Sequence, residues 1–275
     1  MLVAWAVGIV AVGALSAGGS DGVGAESSTG AAPGEVGAAP GEVGAAPGEV
    51  GAAPGEVWAA LGEVDSRQRA AQPLWPGIGH RIARVRAGKA VAVRAEPGGP
   101  LVKRLDARTA FGSPRVFSVL KRRGGWVAVA TPATGDNTPG WVRVDTRKLR
   151  LGRVPDSIVV DLEDGRVRLR RHGRATRTFP VTIGAAGTST PPGRFAVTDV
   201  ITKGLNPVYG CCAVALSAHQ PNLPPGWIGG DRVAIHGWTG PVGGSASGGC
   251  LRAGNDDMEK LIQSLPLGTP VTIRT

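Results

Sequence analysis

The sequence is short of several residue types, and each shortage bounds what the chain does. It has three Cys, two Met, one Tyr and four Phe in 275 residues, with aromatics at 4%. Cys211 and Cys212 are adjacent, where a strained vicinal disulfide is rare, so they read as two small buried side chains; an exported location permits their oxidation, and Cys250 is then the thiol left free. Lys and Arg are missing from the first 65 residues, which carry eight acids. The apolar run LVAWAVGIVAVGAL at residues 2–15 falls short of the ~20 residues that span a bilayer. No cysteine follows that run, which argues against a lipid-anchored N-terminus. No phosphate-cradling loop and no RNA- or DNA-reading motif is visible. His80, His172 and His219 lack metal-ligand spacing, so neither a metal nor a cofactor is expected.

What is present is strongly partitioned. All 31 Lys and Arg lie in residues 66–275, against 13 acids, a local net charge of +18. Such a body is drawn to polyanions. Anionic wall polymers are the candidate partner if the chain is exported, and without a reading motif the charge does not favour nucleic acid. Export is expected from residues 1–25, read as a signal peptide or N-terminal anchor: one small-residue cleavage candidate, Ala14-Leu15-Ser16, stands at the end of the apolar run and another, Val23-Gly24-Ala25, follows it. The n-region departs from the pattern in having no Lys or Arg. A membrane link is expected only through an uncleaved N-terminal segment.

Residues 26–79 read as a disordered linker. Residues 30–57 are four perfect copies of GAAPGEV, and WAALGEV at 58–64 is a degraded fifth. The seven-residue period is not a coiled coil, because Pro and two Gly in each perfect copy break helices. An extended, mildly acidic spacer is the reading.

Residues 80–147 read as a small β module. Short apolar runs (Ala90 to Val93, Val116 to Leu120, Trp126 to Ala130, Trp141 to Val144) alternate with turn clusters rich in Gly, Pro and Asn. The pattern RRGGWVAVATP followed by PGWVRVD resembles bacterial SH3-like modules. Trp126 and Trp141 there either fill a small barrel or stack on a ligand.

Residues 155–275 read as a second, mostly β domain. Strands are expected at Ser157 to Glu163 and Arg166 to Arg171 around an Asp164-Gly165 hairpin turn, at Thr178 to Ile183, at Phe195 to Val200, and at Val233 to Ile235. One helix is expected late, with Asp256 and Glu259 at capping-box spacing and Met258, Leu261, Ile262 and Leu265 on one face. A strand from Pro270 to Arg274 closes the chain.

Candidate chemistry sits in HGWTGPVGGSASGGCLRAG, residues 236–254. A thiol with an ordinary pKa of ~8.5 is only a few per cent thiolate at neutral pH. A neighbouring imidazole that takes its proton makes the smallest useful acyl-transfer unit. His236 has the right chemistry at a strand end, and Cys250 follows a Gly-rich return. Backbone amides at Gly248, Gly249 and Cys250 are candidate oxyanion donors. With no acid nearby in sequence, a carbonyl such as that of Gly237 is the candidate partner to orient the imidazole.

The combination Ile235-His236-Gly237, then Ser247-Gly248-Gly249-Cys250-Leu251-Arg252, then Asn255-Asp256 resembles the catalytic signature of the YkuD-type L,D-transpeptidases. TSTPPGRFAV, residues 188–197, resembles that family's Thr-Pro-x-Gly-x-Phe segment. Gly248 departs from the pattern, since a His commonly stands before the Gly-Cys pair, and the loop from His236 to Ser247 is short. The resemblance covers roughly residues 156–274. It implies a β-sandwich or barrel with one packed helix, exported to the cell envelope and acting on peptidoglycan stem peptides. Cys250 would form a thioester with a tetrapeptide donor, with His236 as base and then acid, and transfer to a second stem would give a 3→3 cross-link. Carbapenems commonly block the family through the same thiol. Ser247, Arg252 and Tyr209 are the candidate substrate-binding or loop-steadying residues. Two alternatives stand beside this reading: a hydrolytic L,D-carboxypeptidase on the same stems, and a non-catalytic wall-binding protein.

Overall fold

A computed structural model describes residues 75, 77–223, 226–227 and 230–275. The N-terminal run, the repeats and the spacer lie outside the described residues.

The described chain is built from β-strands and one α-helix. The first sheet contains β1 (His80–Val85), β2 (Ala90–Arg94), β3 (Leu101–Asp106), β4 (Val116–Arg123), β5 (Trp126–Val129), β6 (Gly140–Arg143) and β7 (Leu149–Val154). They run in the order β3-β2-β6-β5-β4-β1-β7, and every pairing is antiparallel. The apolar runs of the sequence supply β2, β4, β5 and β6. Alternation puts Val91 and Val93 of β2 inward, with Val127, Val129, Val142, Phe117 and Leu149 completing a small core. Trp141 is buried and Trp126 is partly exposed. The basic strand β7, which has little apolar character, joins through its pairing with β1.

The second sheet carries the candidate chemistry. Its strands are β8 (Asp156–Asp161), β9 (Arg166–Arg171), β10 (Arg174–Pro180), β12 (Gly193–Ile201), β13 (Ala213–His219), β14 (Arg232–Trp238), β16 (Leu251–Gly254) and β17 (Pro270–Arg274), in the order β10-β9-β8-β17-β12-β13-β14-β16. Two short strands, β11 (Ile183–Gly184) and β15 (Ser245–Ser247), pair in parallel beside it. A 3-10 turn, Pro207–Tyr209, precedes β13. Phe179, Phe195, Leu216, Ile235, Leu251, Met258 and Leu261 are all buried in one continuous core. Burial of each such side chain contributes about 1.5–3 kcal/mol.

Two local expectations are corrected. The β8–β9 connection is a four-residue loop, residues 162–165, rather than a two-residue turn. Asp161 pulls the loop round by accepting the Asp164 amide at 3.1 Å while pairing with Arg168 and Arg274. The helix α1 (Asn255–Ile262) buries Met258 and Leu261 as its spacing requires, but it has no capping box. Gly254 is the N-cap and Asp256 lies inside the first turn. The chain enters α1 directly from β16, and the Asn255 side chain is committed elsewhere, accepting the Cys211 amide at 3.0 Å.

The two sheets meet through specific contacts. Asp136 accepts the backbone amide of His219 at 2.9 Å. Asn137 bonds Arg194 N and Pro192 O, each at 3.0 Å. Thr109 donates its hydroxyl to Asp199 Oδ1. Asp199 is fully buried, and its Oδ2 has no hydrogen-bond partner among the described residues. Its charge faces the guanidinium groups of Arg232 and Arg115.

Candidate active site

The site is assembled where β14 and β16 run side by side in parallel, with Ile235 opposite Leu251 and His236 opposite Arg252. Ile235 and Leu251 point into the core. Strand alternation then turns His236 and Arg252 to the other face. Cys250 stands immediately before β16, so the register places it near His236 despite fourteen residues of separation; His236 itself lies inside β14, which runs on to Trp238, rather than at the strand end expected. The Gly- and Ser-rich stretch between them is not a slack loop, because its Ser245–Ser247 segment pairs with β11.

His236 is buried, with 3% of its surface exposed. Its Nδ1 lies 2.8 Å from the carbonyl oxygen of Gly237. A carbonyl only accepts, so Nδ1 carries the hydrogen and Nε2 keeps its lone pair. Burial pulls the imidazole down to about 4; the Gly237 carbonyl opposes this and Arg252 adds to it. The ring is therefore neutral at physiological pH. Tyr209 packs edge-on against it with centroids 4.8 Å apart. Desolvation, with the charge of a Cys250 thiolate adding, pushes the Tyr209 phenol up to about 12.

The Cys250 Sγ sits against the backbone of β14, 3.9 Å from the Arg232 carbonyl and bonded by the Ala234 amide. Burial pushes the thiol up, while the Ala234 amide and Arg252 favour the thiolate and lose. At neutral pH the resting pair is thiol and neutral imidazole.

The turn before Cys250 is held from several sides. Ser247 is buried; its hydroxyl donates to the Cys250 carbonyl at 2.5 Å and accepts the Gly249 amide at 3.1 Å. Its contacts are to the turn itself. The Gly249 amide is thereby engaged, which leaves the amides of Gly248 and Cys250 as the oxyanion candidates. Gly249 has φ +109°, and a Cβ there would run into the Gln220 side chain. A Cβ on Gly248 would meet nothing within 4 Å. Gly237 tolerates no side chain, because Asn255 Oδ1, Cys211 N and the Tyr209 carbonyl crowd it. Arg252 stacks its guanidinium 4.2 Å from the Trp238 ring centroid and donates to Ala246 O at 3.3 Å, so it steadies the loop.

Several supports lie outside the candidate residues that the sequence offers. Gln220 donates its side-chain amide to Thr188 O at 2.9 Å, Ser189 O at 3.0 Å and Gly248 O at 3.4 Å. Thr190 donates to Gly249 O at 3.0 Å and accepts from Gly184 N at 2.9 Å. Thr188 donates to Ser247 O at 3.0 Å. The threonines belong to the TSTPPGRFAV segment, which carried a signal; Gln220 carried none. Cys211 is half-buried and Cys212 buried, and both are free.

These features make a candidate cysteine–histidine site, and comparison with known proteins gives the family of the domain that holds it. Residues 155–273 match the model of the YkuD family, described as an L,D-transpeptidase catalytic domain. The chain is 30% identical over 127 residues to a Bacillus subtilis protein named as the L,D-transpeptidase YqjB, covering 42% of this chain and 69% of that one. It is 30% identical over 124 residues to a Bacillus licheniformis protein named as the L,D-transpeptidase YkuD, covering 44% of this chain. The match spans 66% of that relative's length. The solved L,D-transpeptidase of Stackebrandtia nassauensis aligns with a TM-score of 0.34 at 21% identity, over 44% of this chain and 56% of that one. The chain belongs to the YkuD family of L,D-transpeptidase catalytic domains.

Proposed function

We propose that this protein is a cell-envelope L,D-transpeptidase that joins peptidoglycan stem peptides through a thioester on Cys250. The observation that carries the reading is the His236–Gly237 hydrogen bond at 2.8 Å, which leaves Nε2 free to take a proton beside the strand end that bears Cys250.

In the donor half-reaction Sγ attacks the carbonyl of the L-centre of diaminopimelate in a tetrapeptide stem. The thiol proton passes to His236 Nε2 as the carbon–sulfur bond forms. The amides of Gly248 and Cys250 hold the oxyanion, a contribution of typically ~10²-fold or more per donor. His236 then protonates the departing amine, the carbon–nitrogen bond breaks, and D-alanine leaves. An imidazolium whose pKa is held low by burial is a strong acid for that step. In the acceptor half-reaction the side-chain amine of a second diaminopimelate attacks the thioester. His236 takes its proton, the 3→3 amide forms, and the thiol returns. One amide replaces another, so the exchange consumes no nucleotide.

The resting state argues for proton transfer concerted with attack rather than a stored thiolate, because both groups are neutral before substrate enters. The basic body, at +18 over residues 66–275, would hold the protein on an anionic wall. Among the described residues no helix is long and apolar enough to cross a membrane.

Incubation of purified tetrapeptide muropeptides with the wild type and with Cys250→Ala tests the proposal. It predicts 3→3 dimers from the wild type alone. Release of D-alanine without dimers, even with excess amine acceptor, would instead identify a carboxypeptidase. No turnover by either protein would favour the wall-binding alternative.

A further inference from the structure

Among the described residues, a groove of about 720 Å³ lies in the first sheet's module, well away in sequence from Cys250. It runs from the β1–β2 turn, residues 86–89, to the end of β3 at residues 106–108, with β7 along one side. Val85, Ala90 and Pro114 form part of its apolar lining, and Arg84, Arg86, Lys89, Arg108 and Arg150 its cationic part. All five cationic residues are exposed.

Two observations mark these cations as an uncompensated cluster. None of the five forms an ion pair among the described residues. The one carboxylate in the lining, Asp106, lies in the field of Arg115 outside the groove. Second, Arg84 and Arg150 stand directly opposite each other on β1 and β7. Like charges in that position destabilise a ladder unless a counter-charge bridges them. Two of the other guanidinium groups are fixed by carbonyls: Arg86 Nε donates to Thr146 O at 2.8 Å and Arg108 Nη1 to Gly112 O at 2.6 Å. These bonds orient the groups without neutralising them.

We propose that this groove binds an extended anionic polymer with a phosphate in each repeat, as found in an anionic cell wall. Four of the five cations are arginines, whose planar fork matches phosphate oxygens two at a time. A row of fixed cations on two edges of a trough suits a chain with regularly spaced charge better than a single ion. No aromatic residue lies in the lining for bases to stack on, which sets it apart from a single-stranded nucleic acid channel. The choice of a wall polymer rests on the envelope reading above; the groove itself does not depend on catalysis.

The test is binding of linear inorganic polyphosphate to the full chain, with poly-L-glutamate and a DNA oligonucleotide compared at equal charge concentration. Arg84→Glu and Arg150→Glu should each weaken polyphosphate binding about tenfold and lower its salt slope by about one. Arg170→Glu makes the same change of charge on the second sheet and should weaken it less than twofold. Arg84→Glu also replaces a like-charge pair by an opposite-charge pair, so its melting temperature should hold or rise while binding falls. Arg84→Gln, which removes charge without reversing it, should weaken binding about threefold if the reversal itself perturbs folding. Equal losses from Arg170→Glu and Arg84→Glu, or no loss from Arg84→Glu and Arg150→Glu, would overturn the groove. Tighter binding of poly-L-glutamate would overturn the phosphate assignment, and tighter binding of DNA the wall-polymer assignment. Cys250→Ala should bind polyphosphate like the wild type, so loss of cross-linking and loss of this site are separately visible.

Discussion

Nδ1 of His236 lies 2.8 Å from the carbonyl oxygen of the residue that follows it, Gly237. That contact fixes the imidazole tautomer with a backbone atom, so no acidic side chain is needed. It also explains the glycine: a side chain at 237 would collide with Asn255 and the Cys211 amide, and the carbonyl would shift with the backbone.

The buried imidazole predicts an acid-sensitive fold. His236 binds its proton with a pKa of about 4 when folded, against the ordinary 6.5 when unfolded. Between those values the unfolded state holds more protons, so stability rises with pH. It is complete above pH 6.5 and is lost on acidification toward pH 4, by roughly 3 kcal/mol. Urea midpoints measured from pH 4 to 7 should climb steeply in the wild type and more gently in His236→Gln. Parallel curves would show that the imidazole is not the group responsible.

The raised thiol predicts slow alkylation. Reaction of Cys250 with iodoacetamide, followed by peptide mass so that Cys211 and Cys212 are counted separately, should keep rising beyond pH 9. The cause is burial, which raises the thiol pKa. A plateau reached below pH 8 would reveal a stored thiolate–imidazolium pair instead.

The braces under the catalytic turn act by positioning. Gln220→Ala removes the donor that ties Gly248 O to Thr188 and Ser189, and Thr190→Val removes the one on Gly249 O. Each should lower kcat about 10- to 100-fold with little change in KM, because misplaced amides cost transition-state stabilisation. Thr190→Ser, which keeps the hydroxyl, should restore most of the rate. An unchanged kcat in Gln220→Ala would remove that residue from the account.

The clasp between the sheets predicts a smaller, structural effect. Asp136→Ala leaves the His219 amide without its acceptor, at a cost of about 1–3 kcal/mol. For a body of this size the melting temperature should fall by several degrees. An unchanged melting temperature would show that water replaces the carboxylate freely.

Much of this was legible in the sequence because it rests on local periodicity. Val91 and Val93 alternate as a strand requires, and Met258 and Leu261 recur as a helix requires. The motif residues His236, Gly237 and Cys250 could be singled out together because two short signatures flank them. What stayed hidden depended on distant pairing. Gln220 lies between strands and gains its role only when the Thr188–Thr190 segment folds beneath the turn. Ser247 reads equally well as a substrate contact until its bonds to Gly249 and Cys250 are visible. The Asp256 cap failed for a similar reason: Asn255 holds the Cys211 amide, and the chain enters the helix straight from a strand.

Intact-protein mass measured after brief exposure to meropenem tests the central claim most directly. The account predicts one covalent adduct on the wild type, mapped to Cys250, absent from Cys250→Ala and formed far more slowly in His236→Ala. An adduct on Cys211 or Cys212, or an undiminished rate in His236→Ala, would contradict it.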